Sequence, residues 1–573
     1  MKRLLIIIAV FFLYIGASLP VVASPISSLF ELARNGTISQ LRGAIDAGNR
    51  VGIRDSRGKT VLMYAAEWNR DPAVIHLVLD AGARVDGSDN SGMTALLYAA
   101  RNNRNPEVAS VLLAAGARVN QANAAGDTPL MLCAQYNPDV NVLRTLLGAG
   151  ARISARDADG KTALMYAAAN PSAAMVAALL SAGSPVNAVD STGMSPIMYA
   201  AENSNPNVTG ELIRAGANVR QTSFAGATAL SIAAGFNRNL AVMATLLAAG
   251  ADPNSQDSNG MTPFMIAAND SSDPAALRML LAHGARIDLR SDKGRSALMW
   301  AVDENPNVSI IETLLHAGAD VEARDTVGQT PLMWAAAATT NPEVLRLLLH
   351  SGAKVEDRDN LGRTALMWAV LSNPNPAIAR LLIVSGANVE DRDRDGVTAL
   401  MLATTQRGPI CAPGFSPLNQ VSPITAADFS AGTFVPSEFA SGGPEIAVND
   451  PASLYAGLDD LHVLLQAGAD VHDSDNSGRT ALMWAAVQNP IPVVVETLLS
   501  AGARINAADK QGMTALMWAA RGGSNPDVIS TLLSGGANLR SRSASGKDAL
   551  YYLGQNAELM RSPVVKELVG GIR

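Results

Sequence analysis

At 573 residues the chain is long enough for several ordinary domains or one extended array. Apolar residues make up 48 % of it and charged residues only 17 %, with a formal net charge of −7. That balance supplies a large core and excludes nucleic acid as a partner, because phosphate binding needs clustered Lys and Arg.

The first residues read as an export signal. Lys2 and Arg3 give a positive start, residues 4–15 are an unbroken apolar run, and Val21, Val22 and Ala23 offer small residues for cleavage after Ala23. The apolar run falls short of the roughly 20 residues that span a bilayer as a helix. Residues 1–23 are therefore assigned as a signal peptide, which leaves open whether it is cleaved or kept as an anchor. Only two cysteines follow, Cys133 and Cys411. Two are no disulfide framework, so packing must hold the chain together.

Beyond residue 57 the chain repeats itself. TVLMYAA at 60–66 returns as TALMYAA at 162–168, TALMWAV at 364–370, and TALMWAA at 480–486 and 514–520. Fourteen glycines, from Gly58 to Gly546, each stand two positions before such a block. Their spacing is 33 or 34 residues, with one gap of 82. A fixed period of this size marks a stacked array. Residues 24–57 read as an N-terminal capping copy and 546–573 as a C-terminal one. Between them, 58–405 and 452–545 are repeats, and 406–451 is an insertion rich in Pro, Gly and Phe that interrupts one repeat between its two helices.

One unit shows the physics. Asn476-Ser477-Gly478 is a turn, with Gly where a positive φ is tolerated. Thr480 opens a helix as its cap. The helix is apolar all round through Ala486, so it must be covered on several sides. Asn489 is expected to cap a second helix, with Pro at its first position. Val494, Val495, Leu498 and Leu499 form that helix's apolar stripe, and Gly502 ends it. Such a unit cannot bury its apolar faces alone; stacked, it buries them against its neighbours.

The pattern D-x-x-G-x-T-[AP]-L-M-x-A-A … L-L-x-x-G-A-x-V resembles the ankyrin repeat over nearly the whole chain. The resemblance implies an all-α solenoid of helix–turn–helix units with extended turn fingers. It also implies a non-enzymatic, protein-binding scaffold that needs no cofactor. One departure is systematic. Where the family has His after T-P-L, this chain has Met63, Met131, Met165, Met198, Met265, Met299, Met333, Met367, Met401, Met483 and Met517. The family's Thr–His hydrogen bonds are expected to be lost and replaced by thioether packing.

Two sets of residues are candidates for binding a protein. After that Met stand Tyr64, Tyr98, Tyr166 and Tyr199, then Trp300, Trp334, Trp368, Trp484 and Trp518. In ankyrin proteins the first helices line the concave face, so these rings either pack between adjacent first helices or form an aromatic stripe for a partner. Phe415, Phe429, Phe434 and Phe439 lie in the insertion, which either folds back on the solenoid, docks a partner or membrane, or is disordered. The turn tips vary (DSRG, DNSG, SFAG, DKQG), as an adaptable recognition surface does and as free surface also does. The six histidines fall mostly near second-helix ends, where a positive charge complements the helix dipole. No Ser/His/Asp set, phosphate loop or distinctive carboxylate pair supports catalysis. The chain reads as an exported, monomeric scaffold of a bacterial periplasmic or secreted type. The alternatives are an envelope- or membrane-associated structural protein using the insertion, or a secreted effector acting on host proteins.

Overall fold

In the computed structural model, residues 25–236, 240–305, 307–405, 451–563 and 565–566 are described. The expected signal peptide, Cys411 and the four insertion phenylalanines lie outside them. The described residues form 29 α-helices and one 3-10 turn, Leu559–Arg561, with no strand. Isolated antiparallel bridges such as Arg54 with Thr60 close some of the turns. The chain divides into two compact units, residues 1–258 and 259–573. The first holds seven helix pairs, from Pro25–Asn35 with Ile38–Asp46 to Ala229–Phe236 with Leu240–Ala248. The second holds seven pairs beginning at Pro263–Asp270, then a last helix, Ala549–Gln555. Within each unit, first helix packs on first helix and second on second. The array is therefore all-α, as the repeat pattern requires.

Each first helix starts where the sequence places it. Thr60 has extended backbone, and its hydroxyl accepts from the Met63 N–H at 3.3 Å. The expected loss of the reciprocal bond is corrected by the structure. The Met63 sulfur accepts the Thr60 N–H at 3.3 Å, and Met131, Met165, Met198 and Met299 serve their own caps at 3.4–3.5 Å. A thioether is a weak acceptor, but it closes the same capping box that Glu or Gln closes elsewhere. These methionines are also buried to 1 % exposure or less, so one side chain both fills the core and satisfies a helix-end donor.

The second correction concerns Asn489. It does not cap the second helix: Ile491 does, with Pro492 as the first helical residue. Asn489 instead ends the first helix and reaches the preceding repeat, its Nδ2 donating to the Thr404 carbonyl at 3.0 Å. This is one rung of a buried ladder. In the first unit Asn103 donates to Ala66 and Asn69, Asn137 to Ala100 and Asn103, and Asn203 to Ala168 and Asn170. In the second, Asn305 and Asn373 do the same. Buried carbonyls at helix ends need donors, and the repeats that carry this Asn supply one to the repeat before; Ser271, Thr339 and Gly523 hold the position in three others. The 33-residue spacings after Gly160 and Gly193 have a local cause too. The first helices there, Ala163–Ala169 and Pro196–Glu202, are seven residues long, where most others have eight.

Glycine marks two different needs. Gly478 has φ 84°, and a Cβ there would lie 2.9 Å from the Lys510 nitrogen of the next turn. Gly502 has φ 93° but open space around it, so only backbone conformation requires it.

The frame closes across the insertion. The Asn476 N–H donates to the Asp395 carbonyl at 2.8 Å, Asp470 N–H to Glu390 at 2.8 Å, and Arg392 pairs with Asp473 at 2.6 Å. The interrupted repeat has a short first helix, Ala399–Ala403, and a 16-residue second one, Pro451–Gln466, where the others have nine.

Candidate functional site

The aromatic slot is built from a turn carboxylate nine residues upstream. Asp55 Oδ1 accepts the N–H groups of Arg57 and Lys59 at 2.9 and 2.8 Å, which holds the turn, and its Oδ2 accepts the Tyr64 hydroxyl at 2.9 Å. Tyr98 with Asp89, Tyr166 with Asp157 and Tyr199 with Asp190 repeat this at 2.7, 2.6 and 2.5 Å. In the second unit the indole N–H takes the same post. Trp334, Trp368, Trp484 and Trp518 donate to Asp325, Asp359, Asp475 and Asp509 at 2.9–3.1 Å. Trp300 faces Ser291 instead of Asp, and its buried Nε1 has no partner among the described residues. Burial pushes Asp89 and Asp190 up, but the tyrosine hydroxyls, Ser91 or Thr192 and the turn N–H groups outweigh it and hold both below the usual carboxylate range. Burial, then the bonded carboxylate, raises Tyr98, Tyr166 and Tyr199.

The residue between the turn glycine and the helix cap fills the space between successive rings. Lys59 lies 4.3 Å from the Tyr64 ring and 4.0 Å from Tyr98, and Lys161 lies between Tyr166 and Tyr199. Arg295 sits 3.9 Å from Trp300 and 3.7 Å from Trp334, and Arg479 lies between Trp484 and Trp518. A cation over a ring face is attracted by the ring quadrupole, and a buried cation also needs an anion. Lys59 pairs with Glu67, Arg295 with Asp303, Arg363 with Asp393 and Arg479 with Asp475. Lys161 draws Glu202 down, but burial outweighs it and leaves that carboxyl raised.

The nine predicted rings thus occupy one equivalent slot, four tyrosines in the first unit and five tryptophans in the second. Trp484 is buried and the others are half-buried. Their polar atoms, Trp300 apart, serve the turn. The turn tips divide likewise. The leading Asp points inward, as at Asp89, Asp190, Asp359, Asp475 and Asp509, which are all buried. Later tip residues are exposed, Phe224 at 76 % and Leu361 at 48 % among them. Adjacent tips are joined by one backbone bond per junction, such as Asn90 N–H to Arg57 carbonyl at 3.0 Å and Lys510 N–H to Ser477 carbonyl at 3.0 Å.

The asparagine ladder and the cation filler were not singled out from sequence, although both leave a signal: Asn eight or nine residues after the cap, and Lys or Arg between Gly and Thr. Cys133 is buried, which pushes its thiol up, as befits a small apolar residue. His283, His316 and His462 each place Nδ1 2.8–2.9 Å from the carbonyl four residues earlier. No helix among the described residues is long and apolar enough to cross a membrane.

A family model described as ankyrin repeats in three copies matches residues 29–123, 130–223, 165–257, 230–325, 332–412 and 452–556. No curated protein sequence matches the chain significantly. Ankyrin repeats are generally protein–protein interaction modules and are typically non-enzymatic. The repeated helix pairs, the shared cap and turn geometry and a match over most of its length make this chain a member of the ankyrin-repeat family.

Proposed function

We propose that this chain is an exported, non-enzymatic scaffold that holds a protein partner against its turn tips and first-helix face. The observation that carries the reading is the division of labour within each turn. The leading Asp is spent inward on the ring and the backbone, while the residues after it face solvent on tips tied to one another at fixed spacing. Display on a frame ordered in advance limits the entropy lost on binding. The partly exposed rings supply an apolar floor beside the tips. In-cell crosslinking with mass spectrometry tests this. Crosslinks from one partner should fall on tip residues such as 224, 361 and 510. Crosslinks confined to the second helices, or no partner at all, would refute it.

A second reading is attachment to an envelope membrane through residues 406–451, which the repeat frame closes across. Because the rungs at Asp395–Asn476 and Thr404–Asn489 span the insertion, its deletion should leave the melting temperature unchanged. If the reading is right, the same deletion abolishes membrane association in detergent-free fractionation. Fractionation also tests export: recovery in the cytoplasm alone would reject it.

A further inference from the structure

The cation between glycine and cap is ion-paired within the frame at Lys59, Arg295, Arg363 and Arg479, and at Lys161 it acts on the Glu202 carboxyl of the next repeat; the last repeat differs. Eight residues after Lys59 stands Glu67, and eight after Arg295 stands Asp303; both pairs are direct. Arg363 and Arg479 use turn carboxylates, Asp393 and Asp475. At Lys547 both carboxylate positions are neutral: the turn residue is Ser543 and the residue eight on is Gln555. A second cation, Arg521, stands beside Lys547. Among the described residues neither cation has an acidic partner. Instead they line an open cleft of about 390 Å³ with Tyr552 and Gln555. Arg521 lies 5.6 Å from the Trp518 ring and Lys547 4.3 Å from Tyr551. The Tyr552 hydroxyl is drawn below its usual range by Ser543 first, then by Ser545 and the charges of Lys547 and Arg521. The cleft is thus a locally positive place on a chain of net charge −7.

We propose that this cleft between the last two repeats receives an acidic side chain of the protein partner, whose carboxylate would neutralise Lys547 as Glu67 and Asp303 neutralise Lys59 and Arg295. Arg521 and Lys547 donate to it, Tyr552 lines one side, and Gln555, whose amide donates to the Tyr551 hydroxyl at 2.9 Å, offers its second N–H. Charge-assisted bonds of this kind are the strong ones, and at an open cleft they discriminate between partners more than they add affinity. The assignment rests on the scaffold reading and names the chemistry of its partner.

The test uses the full chain and a fluorescein-labelled hexaglutamate peptide, read by anisotropy, with hexaglutamine as control. Hexaglutamate should bind and hexaglutamine should not. Lys547→Gln and Arg521→Gln should each weaken binding about tenfold, the loss of one charge-assisted bond. Gln555→Glu should weaken it as much, because the frame then supplies its own carboxylate. Arg42→Gln, exposed in the first helix pair, should change nothing. Arg521 and Gln555 are also exposed, and an unchanged melting temperature certifies each variant. Equal binding of the two peptides, or wild-type binding by Gln555→Glu, overturns the proposal. Displacement by inorganic phosphate as effective as by free glutamate, at matched ionic strength, also overturns it in favour of a free anion. Failure of the scaffold reading looks different: hexaglutamate still binds, but crosslinking captures no partner on the tips.

Discussion

The two units solve one joint with two chemistries. In the first, a tyrosine O–H reaches the turn carboxylate at 2.5–2.9 Å and Lys fills the gap between rings. In the second, an indole N–H reaches the same carboxylate at 2.9–3.1 Å, and Arg295 and Arg479 fill the gaps between tryptophans, while Lys547 holds the position in the last repeat, which has tyrosines. The swap is concerted. A planar guanidinium stacks on the larger indole, whereas an ammonium is a compact point charge. The outer hairpins differ as well. In both units an arginine four residues before the turn glycine reaches the next repeat's carbonyl, as Arg54 does to Ser88 and Arg358 to Arg392, at 2.6 and 2.7 Å. Among the described residues, only in the second does that arginine also meet an acid: Arg324–Asp357, Arg358–Asp391 and Arg392–Asp473 pair at 2.6–2.8 Å. The ring slot is therefore first a mechanical coupling of turn, helix and next repeat. The second unit adds ionic stitching to it.

The largest test addresses what the units share. Asn137→Ala in the first and Asn373→Ala in the second each strand two buried carbonyls and leave a gap. Each should cost about 3 kcal/mol in denaturant unfolding. A clear inequality would mean that the units differ at more than the ring slot. Next come the rings themselves. Tyr199→Phe and Trp334→Phe should each cost about 2 kcal/mol, because the carboxylate of buried Asp190 or half-buried Asp325 loses a donor. Trp300→Phe has no such bond to lose and should cost about 1 kcal/mol less than Trp334→Phe. The converse change, Ser291→Asp, gives the Trp300 Nε1 and the Arg295 Nε, both without partners, the acceptor that Asp475 gives Trp484 and Arg479. It should stabilise the second unit by about 1 kcal/mol. Destabilisation would show that the slot tolerates no carboxylate there.

The smallest effect is with pH. Burial, with a neighbouring carboxyl adding to it, raises Glu356 beside Asp391, Asp357 beside Glu322 and Glu390 beside Asp473, and it raises Asp393, while Glu322 itself is lowered. A raised acid binds its proton more tightly folded than unfolded. Its contribution is complete below the unfolded value, 3.8 for Asp and 4.5 for Glu, and is lost as pH rises through the folded value. Acidifying from neutral towards pH 4.5 should therefore firm the second unit. Asp89 and Asp190 are lowered, so their contribution holds above 3.8 and is lost only as pH falls through still lower folded values. Glu202 is the first unit's one raised acid among these. Five of the six tryptophans lie in the second unit, so tryptophan emission follows its unfolding. Its midpoint should rise between pH 7 and 4.5; a fall would contradict the assignment.

The sequence by itself determined the period, the two helices of each repeat, their threonine caps and the glycines that turn the chain, because these follow from interactions within a few residues. It also placed the nine rings in one slot, because a period repeats whatever it contains. What Met63 bonds, which carbonyls Asn137 and Asn489 reach, and that Asp89 turns inward to Tyr98 were decided only by the stacked structure. Helix-end donors and acceptors can be satisfied locally, by solvent or by a neighbour, and burial against the adjacent repeat removes the solvent option. The same stacking left Lys547 beside a serine and a glutamine in the last repeat, without the carboxylate that its counterparts find in their own frame.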